Sequence, residues 1–241
     1  MADRKLEPDE LFFGKGLSAL ALNTDWTNRK ESVKGPKLLP EVKKFVENAS
    51  HDFVTFSELQ SKKLGNDLSN VIDMPCFVDK VGYDFISTCW DSDHWTVVVD
   101  DDGAQVSIFS NVAKYQLVTL ESKTNHKLLY GSVHFPTQKY PKLRAQAFEF
   151  LEIAVEKYSP DVDAVLFGGD WNASPDYLNK NAQFLQVALS EESGPTTENG
   201  GMDDNFGTTN DWKTPFGNAE IVSAYKHLTH FPVRSLIFFE K

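Results

Sequence analysis

The sequence predicts an α/β fold in which strands dominate and helices cover them. Three observations carry this expectation. Short apolar, β-favouring runs recur from Leu17 to Phe239, two intervening stretches switch to helical spacing, and several neighbouring runs are joined by short polar segments of the kind that link antiparallel strands.

Leu17 to Leu22 is the first such run, and it ends in Asn23-Thr24-Asp25. Glu31 to Pro40, rich in Gly, Pro and Lys, reads as a loop. Leu39, Val42, Phe45 and Val46 then recur at helical spacing, which predicts a helix over about 40–48. Phe53-Val54-Thr55-Phe56 is a second strand that runs into Ser57-Glu58, whereas Asp67 to Asp79 carries mixed signals and predicts no element. Trp95–Val99 and Gln105–Phe109 flank Asp100-Asp101-Asp102-Gly103, so a hairpin with a solvated acidic turn is expected there. Val112–Leu120 and Leu128–Val133 form another antiparallel pair across Glu121–His126, and the second strand runs into His134.

A helix follows from Leu143 through Phe150, Leu151, Ala154 and Val155, with Pro141 near its start and Pro160 after its end. Ala164-Val165-Leu166-Phe167 is a buried strand released by Gly168-Gly169. Glu191–Gly201 reads as a long surface loop. Met202–Thr208, Glu220–Tyr225 and Val233–Phe239 complete the strands.

No linker or repeat divides the 241 residues, so one domain over 1–241 is expected, with 1–14 as a flexible lead. The formal net charge of −11 opposes a general basic surface for tracking nucleic acid. It does not oppose a phosphate substrate, because a bound divalent cation inverts the field at a carboxylate-lined site. Cys76 and Cys89 suggest neither a disulfide framework nor a zinc site, which makes a reduced intracellular compartment the default. The charged N-terminus lacks the apolar core of a secretory signal, and no stretch is apolar for long enough to cross a membrane.

One regularity points to chemistry. Asn23, Glu58, His134 and Asp170 with Asn172 each come directly after a predicted strand, as they would if a site were assembled along one sheet edge. Asp170 and Asn172, two apart, share a face in extended chain. Gly168 and Gly169 allow another backbone or a phosphate to come close. Carboxylates with amides and imidazoles, and no thiolate, suit a hard ion such as Mg²⁺ or Mn²⁺, which is most useful where phosphate oxygens must be polarised.

These motifs resemble, in order along most of the chain, those of the endonuclease/exonuclease/phosphatase superfamily of DNase I-like phosphoesterases. Leu22-Asn23-Thr24-Asp25 is similar to the first-strand asparagine motif. Phe56-Ser57-Glu58 matches Leu-Gln-Glu with the acid kept. Ser132-Val133-His134-Phe135-Pro136 resembles the Thr-His-Leu segment. Gly169-Asp170-Trp171-Asn172 is similar to Gly-Asp-Phe-Asn, the most specific match. Met202-Asp203-Asp204-Asn205-Phe206 looks like Ile-Asp-Tyr-Ile-Phe, and Thr229-His230-Phe231-Pro232-Val233 looks like Ser-Asp-His-x-Pro-Val, with Thr229 where the family has an aspartate that helps hold metal.

The resemblance implies a four-layer sandwich of two packed, mostly antiparallel sheets flanked by helices, and Mg²⁺- or Mn²⁺-dependent hydrolysis of a phosphate ester. A nuclease or nucleic-acid phosphodiesterase comes first. The alternatives are a phosphatase of a small phosphorylated substrate and, given Thr229, a binding module of impaired activity. In this reading Glu58 ligates the cation with Asp25 close by. Asp170 orients or deprotonates water, and Asn23 and Asn172 bond phosphoryl oxygens. His134 and His230, the latter oriented by Asp203 in preference to its neighbour Asp204, donate to the developing charge. Arg29, Lys139 and Arg144 are candidate contacts to substrate phosphates, although Arg144 also suits a charged exposed helix face. Trp171, on the opposite face from its neighbours, is expected in the core. Neither substrate nor oligomeric state follows from these residues.

Overall fold

A computed structural model describes residues 17–24, 39–40, 42–43, 51–99, 107–110, 113–189, 193–197, 200–209, 219–221 and 230–237. The expected flexible lead, Asp25, Arg29, the turn 100–103 and Thr229 lie outside the described residues.

Strands make up two sheets. The first has the order β12-β13-β1-β2-β4-β3, from Glu220–Ile221 (β12), Val233–Ile237 (β13), Leu17–Asn23 (β1), Phe53–Leu59 (β2), Asp84–Trp90 (β4) and Cys76–Val81 (β3). The second has the order β10-β11-β9-β8-β7-β5, from Leu185–Val187 (β10), Asp204–Thr209 (β11), Ala164–Asp170 (β9), Lys127–His134 (β8), Tyr115–Ser122 (β7) and Trp95–Val97 (β5), with Ser107–Ser110 (β6) also on β7. Two neighbouring pairs are parallel, β1 with β2 and β8 with β9, and the other pairings are antiparallel.

The central strands are apolar on both faces, which forces cover on both sides. Along β1, Ala19 and Ala21 face the layer between the sheets while Leu20 and Leu22 face outward. Along β9, Ala164 and Leu166 face inward and Val165 and Phe167 outward. Helix α1 (Lys62–Ile72) closes the outer face of the first sheet through Leu64, Leu68 and Ile72. Helices α2 (Pro141–Tyr158) and α3 (Pro175–Asn181) close that of the second. The result is the expected helix–sheet–sheet–helix layering. Residues 39–40 and 42–43 are helical, and Val42 packs on the α1 side. No described helix is long and apolar enough to cross a membrane.

The structure corrects three expectations and fills in one stretch for which none was made. First, β5 and β6 are not a hairpin: both run antiparallel to β7, against Leu120–Ser122 and Tyr115–Val118, and so lie end to end along one edge. Second, Asp67–Asp79 holds most of α1 and the start of β3. Its signals mixed because a helix stopped by left-handed Asp73 passes into an edge strand within a few residues. Third, Cys76 lies opposite Cys89 in the β3–β4 ladder and the two form a disulfide. The intracellular expectation loses that support, since disulfides persist mainly in oxidising compartments. Fourth, the 191–201 loop is not all surface, because Thr196 and Thr197 are buried.

Candidate active site

The two parallel pairs set up the site. Parallel neighbours end at the same edge, so β1, β2, β8 and β9 deliver Asn23, Glu58, His134 and Asp170 to one place. Antiparallel β4 and β11 contribute from their first residues, Asp84 and Asp204. All six side chains are buried.

Local chain geometry fixes each group. Gly169 has φ +139°, and a Cβ there would stand 2.2 Å from the Val133 carbonyl oxygen, so only glycine lets β9 pass β8 this closely. A Cβ on Gly168 would meet the Phe206 ring at 2.5 Å. Glu58 sits at a register irregularity of β2 with φ 52°, and this left-handed turn is held by the Thr24 hydroxyl, which donates to the Glu58 carbonyl at 2.6 Å. Trp171 is in the core, as expected, and its indole N–H donates to the Asn205 carbonyl at 3.1 Å.

Asn23 bridges the acids: its Nδ2 donates to Asp170 Oδ2 at 2.8 Å and to Glu58 Oε1 at 3.3 Å. His134 Nε2 faces Glu58 Oε1 at 3.6 Å and Asp170 Oδ2 at 3.8 Å, with Nδ1 3.7 Å from Asp84 Oδ2. Asn172, at φ 48°, donates its backbone N–H to Asp170 Oδ1 at 2.8 Å and its side-chain amide to the Phe135 carbonyl at 2.9 Å. It therefore ties the exits of β8 and β9 together, leaving its Oδ1 and second amide hydrogen for other partners.

The partner of His230 is Asp204, not Asp203: Nδ1 and Asp204 Oδ2 are 2.7 Å apart. The reason is register. Asp204 pairs with Asp170 across the β11–β9 ladder and shares its face, while Asp203 precedes the strand and uses its carbonyl to accept the Trp171 N–H. The 196–197 segment steadies this dyad. Thr196 Oγ1 accepts from the N–H of Asp203 and of Asp204, the Phe231 N–H donates to the Thr196 carbonyl, and Thr197 bridges to His230.

Arg144 also differs from both earlier readings. It is buried on the inner face of α2, donating Nη1 to the Asn172 carbonyl at 2.9 Å with its guanidinium carbon 3.8 Å from the Tyr177 ring centre. It positions the Asn172 turn from below and is not presented to a ligand. Lys139 is exposed in the turn before α2.

Five carboxyl groups, Glu58, Asp84, Asp170, Asp203 and Asp204, gather here against two imidazoles. Burial, then the Asp204 charge, pushes the Asp170 carboxyl well above its ordinary range; burial, then Asp204, raises Asp203. Burial raises Asp204 as well, opposed by His230. Burial alone would lower His230, but the charge and hydrogen bond of Asp204, with Asp170 and Glu58 behind them, raise it to about 10. His134, desolvated and near Lys114 and His230, falls to about 4 despite Glu58. At neutral pH one imidazole is cationic and the other neutral.

This donor set fits a hard divalent ion. One ligand atom from each of Glu58, Asp170 and His230 lies within 4.8 Å of the others, and mutual repulsion of the acids is what a cation would relieve. Of the three, the carboxylates are the better ligands, because an imidazolium has no free lone pair to offer.

The layer order and this sheet-edge cluster define a DNase I-like α/β sandwich, the fold of endonuclease/exonuclease/phosphatase proteins. Solved structures agree over nearly the whole chain. D. rerio TDP2 complexed with single-strand DNA product has a TM-score of 0.71 at 10% identity, covering 92% of this chain and 98% of that one. A Bacteroides thetaiotaomicron mannosyl-6-phosphatase has 0.72 at 11%, covering 92% and 100%. The human Nocturnin catalytic domain with bound sulfate has 0.68 at 12%, covering 93% and 94%. No protein-family model matches the sequence, and comparison with curated proteins finds no match.

Proposed function

We propose that this chain hydrolyses phosphate esters in a reaction dependent on a divalent cation, Mg²⁺ or Mn²⁺, with nucleic-acid phosphodiesters as the first substrate class. The observation that carries the reading is the convergence of Glu58, Asp170 and His230, from three distant parts of the chain, to ligand atoms within 4.8 Å of one another.

Glu58 and Asp170 would hold the cation, with Asp25 a further candidate. When bound, the cation supplies charge that polarises a phosphoryl oxygen. Asp170 orients the attacking water and takes its proton, while the Asn23 amide fixes Asp170 Oδ2. The His230 imidazolium donates through Nε2, since Nδ1 is held by Asp204, and neutral His134 donates its single N–H to the charge that builds on the phosphoryl oxygens. Asn172 offers its remaining amide hydrogen, and Arg29 and Lys139 are candidate contacts for flanking phosphates.

The sheet-edge cluster supports a phosphate ester of any class, and the likeness to TDP2 bound to single-strand DNA is what favours nucleic acid. The net charge of −11 implies weak nonspecific affinity, so recognition would be local to the site. The likeness to a mannosyl-6-phosphatase keeps a small phosphorylated substrate as the second reading.

The test is a side-by-side assay of single- and double-stranded DNA, RNA, sugar and inositol phosphates and sphingomyelin, with Mg²⁺, Mn²⁺ or chelator. Turnover of at least one substrate is expected only with cation and is abolished by Asp170→Ala and by His230→Ala; activity that survives both variants rejects the mechanism. Thr229 favours a third reading, a binding module without turnover. Titration calorimetry separates it, since a module lacking the site shows no Mg²⁺ binding sensitive to Glu58→Gln.

A further inference from the structure

Helix α2 lies on the outer face of the second sheet and carries more apolar surface than its packing uses. Its inner face, Ala147, Phe148, Leu151, Ala154 and Val155 with Arg144, is buried. On the outer side Leu143, Phe150 and Ile153 are 45%, 42% and 52% exposed, and Tyr140, just before the helix, is 58% exposed. Leu143, Gln146, Phe150, Ile153 and Lys157 recur at alternating steps of three and four, the spacing of a helix–helix seam. Isolated apolar residues on a surface are ordinary, but three at seam spacing along one side of a helix, Leu143, Phe150 and Ile153, are less so.

The charges beside the stripe decide what can cover it. Exposed Lys142 lies at the N-terminal end, and exposed Glu149, Glu152 and Glu156 run along the rest of the flank. That acidic row repels nucleic acid and anionic lipid. The flank as a whole, basic at Lys142 and acidic at Glu156, is complementary to its own reversed copy at its two ends. When two α2 helices pack antiparallel about a two-fold axis near Phe148 and Glu149, Leu143 meets Ile153 of the second copy and Phe150 meets its Gln146. Lys142 then meets Glu156 at both ends of the seam. The like-charge contacts that remain are Glu149 against Glu149 at the axis and, at each end, Lys157 toward Lys139 of the second copy.

We infer that the α2 stripe is a self-association surface on which a second copy of this chain docks through an isologous, antiparallel helix pair. The contact lies on the sheet face opposite the inter-sheet layer, so it is independent of the phosphoesterase reading. One helix pair buries on the order of 1,000 Å² in total, at the small end of specific interfaces, so the dimer is transient. Repulsion between two copies of charge −11 weakens it further at low salt.

Sedimentation velocity of the full chain from about 10 to 500 μM in about 0.15 M salt tests this. The weight-average mass should rise with concentration toward that of a dimer. Phe150→Glu with Ile153→Glu should hold it at the monomer, with an unchanged circular-dichroism spectrum showing the fold intact. Glu149→Gln, which removes the like-charge contact at the axis, should lower the dissociation constant about threefold or more. Lys142→Glu and Glu156→Lys should each weaken association, and the double exchange should restore it. A monomer at every concentration even with Glu149→Gln, association that survives Phe150→Glu/Ile153→Glu, or no rescue by the charge exchange would overturn the inference. So would binding of a monomer to phosphatidylcholine vesicles through the same residues.

Discussion

Replacing Asp204 by asparagine should neutralise His230. In the folded chain the imidazole is raised from its ordinary 6.5 to about 10, and the two largest influences in that direction are the charge and the hydrogen bond of Asp204, 2.7 Å away. A move of that size corresponds to about 5 kcal/mol of preference for the imidazolium, with Asp204 the first of the groups that favour it. Asp204→Asn keeps the shape of the contact and removes its charge. Asp170 and Glu58 then act alone against burial, and the proton affinity of His230 should fall by more than about a hundredfold, toward or below the ordinary value.

The sign for stability is that of a group raised on folding: the contribution is fully present below pH 6.5 and is lost as pH rises through about 10. The variant should lose this stabilisation at neutral pH. The assay is the pH titration of the His230 ring ¹⁵N and ¹³C shifts in chelator, with the dispersed amide spectrum confirming the fold. Turnover, where a substrate has been found, should drop about 100-fold or more. If wild-type His230 titrates near 6.5, or titrates identically in the variant, the assignment of Asp204 as the controlling partner is wrong.

Other perturbations reach different parts of the argument. His51 is buried, hydrogen bonded to Ser18 Oγ at 2.9 Å, and lowered to about 4 by burial and then by Arg234. A histidine depressed on folding withdraws stability as pH falls, so wild type should lose about 3 kcal/mol relative to His51→Asn between pH 6.5 and 4, read by denaturant melts. An identical pH dependence in both proteins would contradict this. Gly169→Ala forces a Cβ into the Val133 carbonyl at φ +139° and should cost about 3 kcal/mol or more, seen as a fall in melting temperature; a neutral effect would mean the β8–β9 approach is looser than described. Arg144→Met should cost about 2 kcal/mol and lower kcat with KM nearly unchanged, because the guanidinium supports Asn172 and not substrate. A rise in KM alone would place Arg144 at the substrate instead.

The parts of the site legible in the sequence are those at strand exits. Asn23, Glu58, His134 and Asp170 each follow an apolar run and end strands of the two parallel pairs, so a linear scan meets the acid or imidazole where the run stops. Asp84 and Asp204 reach the same edge from strand beginnings. There they look like ordinary turn residues, and one residue of register separates Asp204 from Asp203. Thr24, Thr196 and Arg144 act through other residues' backbones, which leaves no periodic trace. The β5–β6 hairpin failed because local turn chemistry says nothing of the third strand, β7, that both prefer. Two cysteines thirteen residues apart become a pair only once the β3–β4 register is known.

Beside the cluster the layer between the sheets is filled by small groups. Ala21, two residues before Asn23, offers it a single methyl group, and Gly168, two before Asp170, lets Phe206 and Thr55 close in with nothing between. Half the candidate groups hang from one sheet and half from the other, so the gauge of this seam sets how far apart they stand. A methylene inserted at Ala21 would wedge the two halves open and disperse the cluster while each half kept its own ladder intact. Such a protein would be folded by every spectroscopic measure and yet unable to grip a cation.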